Sequence, residues 1–450
     1  MFIPHSEDEK KTMLKSIGVN SLDDLFSDVP EKYRFPSLAL PAGVTEMEAL
    51  AELGEYASAN ETVNDLVCFL GAGAYNHYSP AVVDSILRRG EFYTAYTPYQ
   101  PEISQGTLQA IFEFQSLVAN LTGMDVSNAS HYDGATAAAE SAIMAYHNFR
   151  GKRPKIVLSA ALNPQYREVI CSYLCGYEDM EIITGESASQ FADKPDDLIH
   201  LIDTDTALVI VQYPDFFGRI QNFRKLVEHA HQLGAMVAFS VNPIALGILT
   251  PPGELGADIV IGEGQPLGIP LSYGGPYLGF LATRKEFVRK LSGRLVGETI
   301  DASGKRGYVL TLTAREQHIR REKSTSNICT NQGLMALAAT IYMSLLGKHG
   351  MQQVSDLCYQ KSHYAASVIG KLPGFDLPSK DAFFHEFVIK CPKNVAEINR
   401  DLLDLGFLGG YDLSVSYPDL ENHMLVAVTE MLTKEDIDAF AAALMEVTHD

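Results

Sequence analysis

The chain has 450 residues, of which 46% are hydrophobic and 20% are charged, a composition typical of a globular protein with ample apolar material for a core. No apolar run approaches the length that spans a bilayer, and the formal net charge of -21 argues against binding to nucleic acid. The N-terminus has neither an apolar signal core nor the arginine-rich pattern of a transit peptide, which predicts a cytoplasmic location.

The first 64 residues predict an arm that is partly helical and partly extended. The stretch "SLDDLFSDVP" predicts a short helix with Ser21 as its N-cap and Asp24 as the capping partner, ended by Pro30. The proline-rich stretch after it predicts an extended segment followed by a helix. Such an arm either wraps a partner subunit or serves as a surface tether, and the sequence leaves both open.

Residues 65–345 predict a large α/β domain. A helical pattern ends at Gly123, and short apolar runs then alternate with further helical patterns. Runs that are apolar on both faces indicate buried strands, and therefore a mostly parallel sheet of about seven strands covered by helices. These runs are "KIVLSAAL", "MEIIT", "ALVIVQYP", "AMVAFSV" and "ADIVIGE", with "GPYLGFLATR" as a further strand. Residues 346–450 predict a small α+β domain whose last helix is capped by Thr433 and Asp436.

The cysteines show no spacing typical of metal ligands, so we predict no metal site. Cys171 and Cys175 share a helical face, yet no second pair of ligand residues lies near them in the sequence. We interpret the six cysteines as buried, reduced thiols, as expected in a reducing compartment. They are Cys68, Cys171, Cys175, Cys329, Cys358 and Cys391.

Ligands of a doubly wound sheet bind beyond the carboxyl ends of its strands, and this rule singles out four segments. In "SNASHYDGATAAAES", Gly134, Ala135 and Thr136 begin a helix that would either bind a phosphate or be capped by Asp133.

The second segment, "AYTPYQPEISQG", is a loop stiffened by prolines and rich in polar and aromatic side chains, for which we favour a functional role over simple turn packing. Its candidate contacts are Tyr96, Thr97, Tyr99, Gln100, Glu102 and Gln105.

The third segment, "AREQHIRREKSTSNICTNQ", places a basic cluster before a run of hydroxyl and amide residues. Cations and hydroxyls beside a new helix predict an anion site, although a solvated basic turn is the alternative. The cluster comprises Arg315, His318, Arg320, Arg321 and Lys323, and the run comprises Ser324, Thr325, Ser326, Asn327 and Thr330.

The fourth segment, "GADIVIGEGQPLGIPLSYGGP", has the shape of the strand and loop that anchor the cofactor of a pyridoxal phosphate enzyme. Such an enzyme needs an amine in the loop after "ADIVIGE" and an acid near the ring nitrogen at the end of "AMVAF". Those places hold Gln265–Pro266 and Ser240, and no lysine occurs between Lys225 and Lys285. Both groups are missing together, which predicts a chain that is not a complete catalyst.

Two further residues have two interpretations each. Lys323 is the candidate for a displaced cofactor lysine, although a charge partner or an anion contact is the simpler interpretation. His77, in "GAGAYNHYSP", would either stack on a cofactor or act as a base, or else cap a loop.

At these residues the sequence resembles a known family. "FLGAGAYNHYSP", "YTPYQPEISQGTLQAIFEFQ", "NASHYDGATAAAE" and "REQHIRREKSTSNICTNQ" closely resemble the split P-protein of the glycine cleavage system, a glycine dehydrogenase (decarboxylating). The resemblance covers essentially the whole chain and implies the type I fold of pyridoxal phosphate-dependent transferases. It also implies a second subunit that carries the lysine, at the position equivalent to Pro266, and the aspartate, at about the position of Ser240.

The family implies a reaction and a set of partners. Glycine would be decarboxylated with pyridoxal phosphate bound covalently by the partner subunit and not by this chain, and the aminomethyl group would pass to the lipoyl arm of H-protein. The loop from Tyr96 to Gln105, with His77, would contribute to a shared active site, and Thr330 of the Ser324–Thr330 turn would contact the cofactor phosphate. A standalone enzyme using Lys323 and a purely structural scaffold subunit are the alternatives.

Overall fold

The computed structural model of the protein describes residues 4–185 and 194–449. The chain divides into two compact units, Met1–Glu61 and Thr62–Asp450. The helices are α1 (Glu7–Ile17), α2 (Glu46–Ser58), α3 (Ala81–Leu87), α4 (Gly90–Tyr93), α5 (Gln105–Thr122), α6 (Gly134–Asn148), α7 (Pro164–Leu174), α8 (Pro195–Ile199), α9 (Arg224–Gln232), α10 (Pro252–Leu255), α11 (Gln317–Arg320), α12 (Gly333–Ile369), α13 (Val395–Asp404) and α14 (Lys434–Glu446).

The strands are short, and half of those in the described residues belong to the second unit's central sheet. They are β1 (Val67–Cys68), β2 (Val126–Ser127), β3 (Lys155–Leu158), β4 (Glu181–Thr184), β5 (Thr206–Tyr213), β6 (Met236–Val241), β7 (Ile259–Glu263), β8 (Gly279–Thr283), β9 (Val296–Ile300), β10 (Arg306–Leu310), β11 (Glu386–Lys390), β12 (Phe407–Leu408), β13 (Tyr411–Asp412) and β14 (His423–Ala427). Within the described ranges, no helix is both long and apolar enough to cross a membrane.

The first unit consists of capped helices joined by irregular chain. Ser6 caps α1 and Thr45 caps α2, each in a reciprocal arrangement with a glutamate three residues later. The helix predicted after Ser21 is only a 3₁₀ turn, Asp23–Phe26, although Asp24 Oδ2 accepts the predicted hydrogen bond from the Ser21 N–H at 2.9 Å. Four residues carry too few backbone bonds to sustain an α-helix without packing.

The central sheet of the second unit has seven strands in the order β2-β8-β7-β6-β5-β3-β4. Strands β3 to β7 are parallel to one another, whereas β8 runs antiparallel to both β7 and β2. Alternate residues of β5 face two different cores: Leu208 and Ile210 pack in one, Val209 and Val211 in the other. Burial on both faces explains why these strands are apolar throughout, and the predicted mostly parallel sheet is confirmed.

The C-terminal part is the predicted small α+β arrangement. Strands β11, β14 and β13 form an antiparallel sheet in that order, and its core includes residues of α13 and α14. Thr433 and Asp436 cap α14 with reciprocal hydrogen bonds, as predicted. The proposed boundary at residue 345 falls within α12, which is interrupted at Gly347, where φ is 58°.

The interpretation of the cysteines as uniformly buried is wrong. All six are free, but Cys171, Cys175 and Cys329 are exposed and only Cys358 and Cys391 are buried. The i, i+4 spacing places both thiols of α7 on one helical face, and spacing alone does not determine whether that face points to the core.

Candidate functional site

The carboxyl ends of β6 and β7 bring together the two positions that a pyridoxal phosphate enzyme would need for catalysis. Ser240 pairs with Ile261 across these parallel strands, and Pro266 follows β7 in the next loop. Both residues line one small cavity of about 30 Å³. The fold therefore brings the two residues that the sequence singled out, a serine and a proline, to the same cavity.

A larger cavity of about 620 Å³ adjoins this point, and the two cavities share Gly73, Asn163, Tyr166 and Glu263. The start of α6 forms part of its wall. Asp133 caps that helix through an Oδ1 that accepts the Thr136 N–H at 2.7 Å. Of the two interpretations of this segment, the structure favours the capped helix.

Glu263 ends β7 and is buried beneath this cavity. Burial raises the pKa of its carboxyl group to about 8, against the opposing effect of three backbone N–H donors. Those donors are Gly134, Gln265 and Leu278, each at 2.9 Å. The Gln265 side chain turns inward and bonds the backbone of Tyr75 and Ile269. The loop that would hold a cofactor lysine is therefore fixed by an internal network.

The aromatic loop and the hydroxyl turn meet at a separate cavity of about 170 Å³. Tyr96 and Thr97 line it from the loop, and Thr330 lines it from the turn. Tyr96 is 80% exposed, so most of its ring faces solvent in the single chain. Gln105, in contrast, anchors the loop: its amide exchanges hydrogen bonds with the backbone of Tyr308 in β10 and also donates to the Pro101 carbonyl.

The remaining loop candidates lie at its exposed surface. Tyr99 is 51% exposed, and its hydroxyl accepts a hydrogen bond from Arg294 at 3.2 Å. Gln100 and Glu102 are exposed. Their side chains are placed where a second molecule could reach them, which is what a shared site would need.

The turn is shaped by its own hydroxyls. Ser324 Oγ donates to the Ser326 carbonyl at 2.7 Å, and Ser326 Oγ accepts from the Ile328 N–H at 3.0 Å. Thr325 and Ser326 line a different cavity of about 20 Å³, and Asn327 is exposed. Among these predicted phosphate contacts, only Thr330 lines the same cavity as the aromatic loop.

Arg294 connects the two segments, and sequence reasoning missed it. Its guanidinium donates to Asn331 Oδ1 at 3.3 Å and to the Tyr99 hydroxyl at 3.2 Å, while Glu316 lies 3.7 Å from Nε. The side chain is only 5% exposed, yet it lines the cavity of the aromatic loop. It stands outside the basic cluster in the sequence, before strand β9, so no local pattern marks it.

The residues of the basic cluster differ in burial and in contacts. Arg315 turns inward and donates to the carbonyls of Leu291 and Gly293, whereas Arg320, Arg321 and Lys323 are exposed. His318 lies 3.5 Å from Glu316. Lys323 lines none of the cavities described above, and no lysine lines the 30 or 620 Å³ cavity among the described residues.

His77 lies apart from the loop and the turn. Its Nδ1 is 2.6 Å from Glu430 Oε2, and its side chain is 2% exposed. Burial acts to raise the pKa of Glu430, but the hydrogen bond and charge of His77 outweigh it and lower the pKa to about 2. This pair ties the segment before α3 to the segment between β14 and α14, which favours the loop-capping interpretation of His77.

Cys358 completes a group of possible metal ligands around this pair. Ligand atoms of His77, Cys358 and Glu430 lie within 4.8 Å of one another. Burial raises the pKa of the Cys358 thiol well above its ordinary value, so the thiolate that binds metals is disfavoured. The short contact between His77 and Glu430 is a hydrogen bond, and the group is explained as a buried polar network.

Comparison with solved structures identifies the fold. A glycine decarboxylase (P-protein) of the glycine cleavage system, in inhibitor-bound form, superposes with a TM-score of 0.92 at 40% identity, covering 99% of this chain and 100% of that one. A sphingosine-1-phosphate lyase from Burkholderia pseudomallei matches with a TM-score of 0.67 at 14% identity, covering 94% of this chain and 95% of the other. The second match shows shared architecture only, and the fold is that of type I pyridoxal phosphate enzymes.

Comparison with related sequences identifies the family. The chain is 53% identical over 448 residues to a "Probable glycine dehydrogenase (decarboxylating) subunit 1" of Thermomicrobium roseum, covering 100% of both chains. The protein of that name from Desulforamulus reducens is 53% identical over 446 residues, covering 98% of this chain and 99% of the other. The model of the family described as "Glycine cleavage system P-protein" matches residues 1–444, and the chain therefore belongs to the glycine cleavage system P-protein family.

Proposed function

We propose that this chain is the lysine-free subunit of a two-subunit glycine decarboxylase and works only with a partner that carries the cofactor lysine. The observation that supports the proposal is the cavity at the ends of β6 and β7, which Ser240 and Pro266 line and to which the described residues contribute no lysine or aspartate. The relatives' designation as a subunit 1 supports a second subunit. The proposal includes glycine as substrate, lipoylated H-protein as acceptor of the aminomethyl group, and a cytoplasmic location.

The chain's contribution would be made at the cavity between the aromatic loop and the turn. Thr330 offers a hydroxyl that can donate to a phosphate, and Arg294 supplies a buried positive charge beneath it. Tyr96 and Tyr99 present exposed aromatic rings that can pack against a partner and exclude water from the joint site. When bound by the partner, pyridoxal phosphate supplies the electron sink for loss of carbon dioxide.

The test combines purified chains before and after borohydride reduction. We expect the mixture with the lysine-bearing subunit to trap pyridoxal phosphate on the partner's peptide only, and to release carbon dioxide from glycine when lipoylated H-protein is present. The chain alone should do neither. Covalent trapping on the chain alone, at Lys323 or any other lysine, would contradict the proposal and identify a standalone enzyme.

Variants of the exposed loop distinguish a contribution to a shared active site from a purely structural scaffold. Tyr96→Ala and Glu102→Ala should reduce turnover of the mixture while leaving assembly intact, because these side chains are exposed and support no buried contact of the single chain. A suitable control is Glu113→Ala, which changes an exposed residue of α5 beyond the loop. Full turnover in both loop variants would favour a purely structural subunit.

A further inference from the structure

The first turn of α6 offers few free donors to a phosphate. The Gly134 N–H donates to Glu263 Oε2 at 2.9 Å, and the Thr136 N–H donates to Asp133 Oδ1 at 2.7 Å. The next N–H, that of Ala137, donates to the Asp133 carbonyl at 3.1 Å. A phosphate bound at a helix start needs N–H groups of this kind, and here two carboxyl side chains already take them.

Glu263 is held in this position from three directions. Its Oε1 accepts from the Gln265 and Leu278 N–H groups, while Oε2 accepts from Gly134. Moving the side chain would leave three backbone donors without their acceptor, which is unfavourable while those donors stay buried. The carboxyl group is therefore a fixed part of the helix start and does not swing aside for a ligand.

The space over the helix start is also filled. A Cβ atom at Gly134 would lie 2.1 Å from the Tyr166 hydroxyl and 2.9 Å from the Glu263 backbone nitrogen. The adjoining cavity of about 620 Å³ is large enough for a cofactor. The obstacle to cofactor binding is therefore the filled helix start and not the volume of the cavity.

The lining of this larger cavity is unfavourable for an anion. Asp133 and Glu263 both line it, and no lysine, arginine or histidine lines it among the described residues. Phosphate sites in proteins rely on cations or on free N–H groups. Among the described residues no cationic side chain lines this wall, and the Gly134 and Thr136 N–H groups are already engaged by carboxyl oxygens.

We propose that the cleft of this chain is closed to pyridoxal phosphate by Glu263 and Asp133, independently of the missing lysine. Absence of a lysine prevents covalent attachment but does not prevent non-covalent binding through the phosphate. Because Glu263 and Asp133 occupy the start of α6, non-covalent binding through the phosphate is excluded as well. Since the partner carries the lysine in the proposed function, on which this inference rests, each pair of subunits holds one cofactor and not two.

The experiment uses the full-length chain without its partner and pyridoxamine 5′-phosphate, which carries the phosphate but no aldehyde and so forms no imine with surface lysines. Binding is measured by calorimetry and equilibrium dialysis for the wild type, Glu263→Ala, Glu263→Asn and Glu254→Ala. Glu254 is an exposed residue of α10, so its variant controls for removal of a carboxyl group at the surface. We expect binding by both Glu263 variants to be at least about tenfold tighter than by the wild type and the control, because the Gly134 N–H is released.

Two results would overturn the inference: saturable binding of one pyridoxamine 5′-phosphate per wild-type chain, or no gain of affinity in a folded Glu263 variant. If neither variant folds, the number of cofactor molecules bound by the wild-type complex is the test. With excess cofactor the complex should retain one molecule per pair of subunits, and two molecules per pair would refute the proposal. Carbon dioxide release by the same complex reports separately on the proposed function, so failure of one does not imply failure of the other.

Discussion

Thr330 and Arg294 line one cavity but differ in what they can offer a ligand. Arg294 is buried and its Nη1 and Nη2 donate to Asn331 and Tyr99, so it holds the turn against the loop. Thr330 has an uncharged hydroxyl at the cavity wall, which a phosphate from a partner's site can approach. Arg294 thus acts as a positioning residue, and Thr330 is the candidate contact.

Thr330→Ala should weaken the affinity of the two-subunit complex for pyridoxal phosphate about tenfold, since a hydrogen bond to a charged group contributes about 1.5–3 kcal/mol. Thr330→Ser keeps the hydroxyl and should retain most of the affinity. Cofactor fluorescence during titration of the apo complex measures the effect. Thr325→Ala is the control, since Thr325 lines the separate 20 Å³ cavity, and unchanged affinity in Thr330→Ala would remove Thr330 from the site.

The pair of His77 and Glu430 predicts sensitivity to acid. The pKa of Glu430 in the folded chain is about 2, below its ordinary value of 4.5, so the stabilisation is fully present above pH 4.5 and is lost as the pH falls toward 2. The urea midpoint of the wild type should therefore fall between pH 5 and pH 3 by more than that of Glu430→Gln. The control is Glu435→Gln at an exposed position of α14, and parallel curves for Glu430→Gln and wild type would show that the pair contributes nothing.

Helix α2 of the N-terminal arm has an exposed apolar face. Met47, Leu50 and Leu53 recur at a spacing of three along it and are 77%, 65% and 63% exposed. An exposed apolar stripe of this kind is typical of a surface that another chain covers. The acidic residues Glu48, Glu52 and Glu55 lie on the opposite face, which suits contact with solvent.

The double variant Leu50→Ser, Leu53→Ser should keep its fold, because both side chains are already exposed, yet bind the lysine-bearing subunit less tightly. Loss of two apolar contacts of about 1.5 kcal/mol each corresponds to a weakening of roughly a hundredfold. Analytical ultracentrifugation of the mixture measures this. Glu55→Ser on the acidic face serves as the matched control, and equal affinity in the double variant would leave the arm as a tether.

At the scale of the whole molecule, several carboxyl groups are buried inside the second unit. Burial raises the pKa of Glu140 and Glu386 to about 7 and that of Glu263 to about 8. Each folded pKa lies above the ordinary value of 4.5, so folding favours the neutral form. Their contribution to stability is therefore present at low pH and is lost as the pH rises from about 4.5 to 8.

The melting temperature of the chain should accordingly fall between pH 6 and pH 8.5. Glu386→Gln, which resembles the neutral form, should lose less over this range than the wild type, as measured by differential scanning calorimetry. Glu254→Gln at the exposed surface should follow the wild type. A Glu386→Gln curve with the wild-type slope would mean that this carboxyl group is ionised in the folded chain.

The parallel sheet, the capped final helix and the joint absence of lysine and aspartate at the ends of β6 and β7 could be predicted from the sequence, because apolar periodicity, capping pairs and missing functional groups are local properties. Thr97 and Thr330 could be singled out in the same way, but not the cavity that both line. The contacts that required the folded chain are those by which Arg294 links loop to turn, His77 pairs with Glu430 and Glu263 occupies the start of α6. Those contacts join residues from 37 to 353 positions apart, and nothing in a local pattern fixes which distant side chains folding brings within hydrogen-bond range.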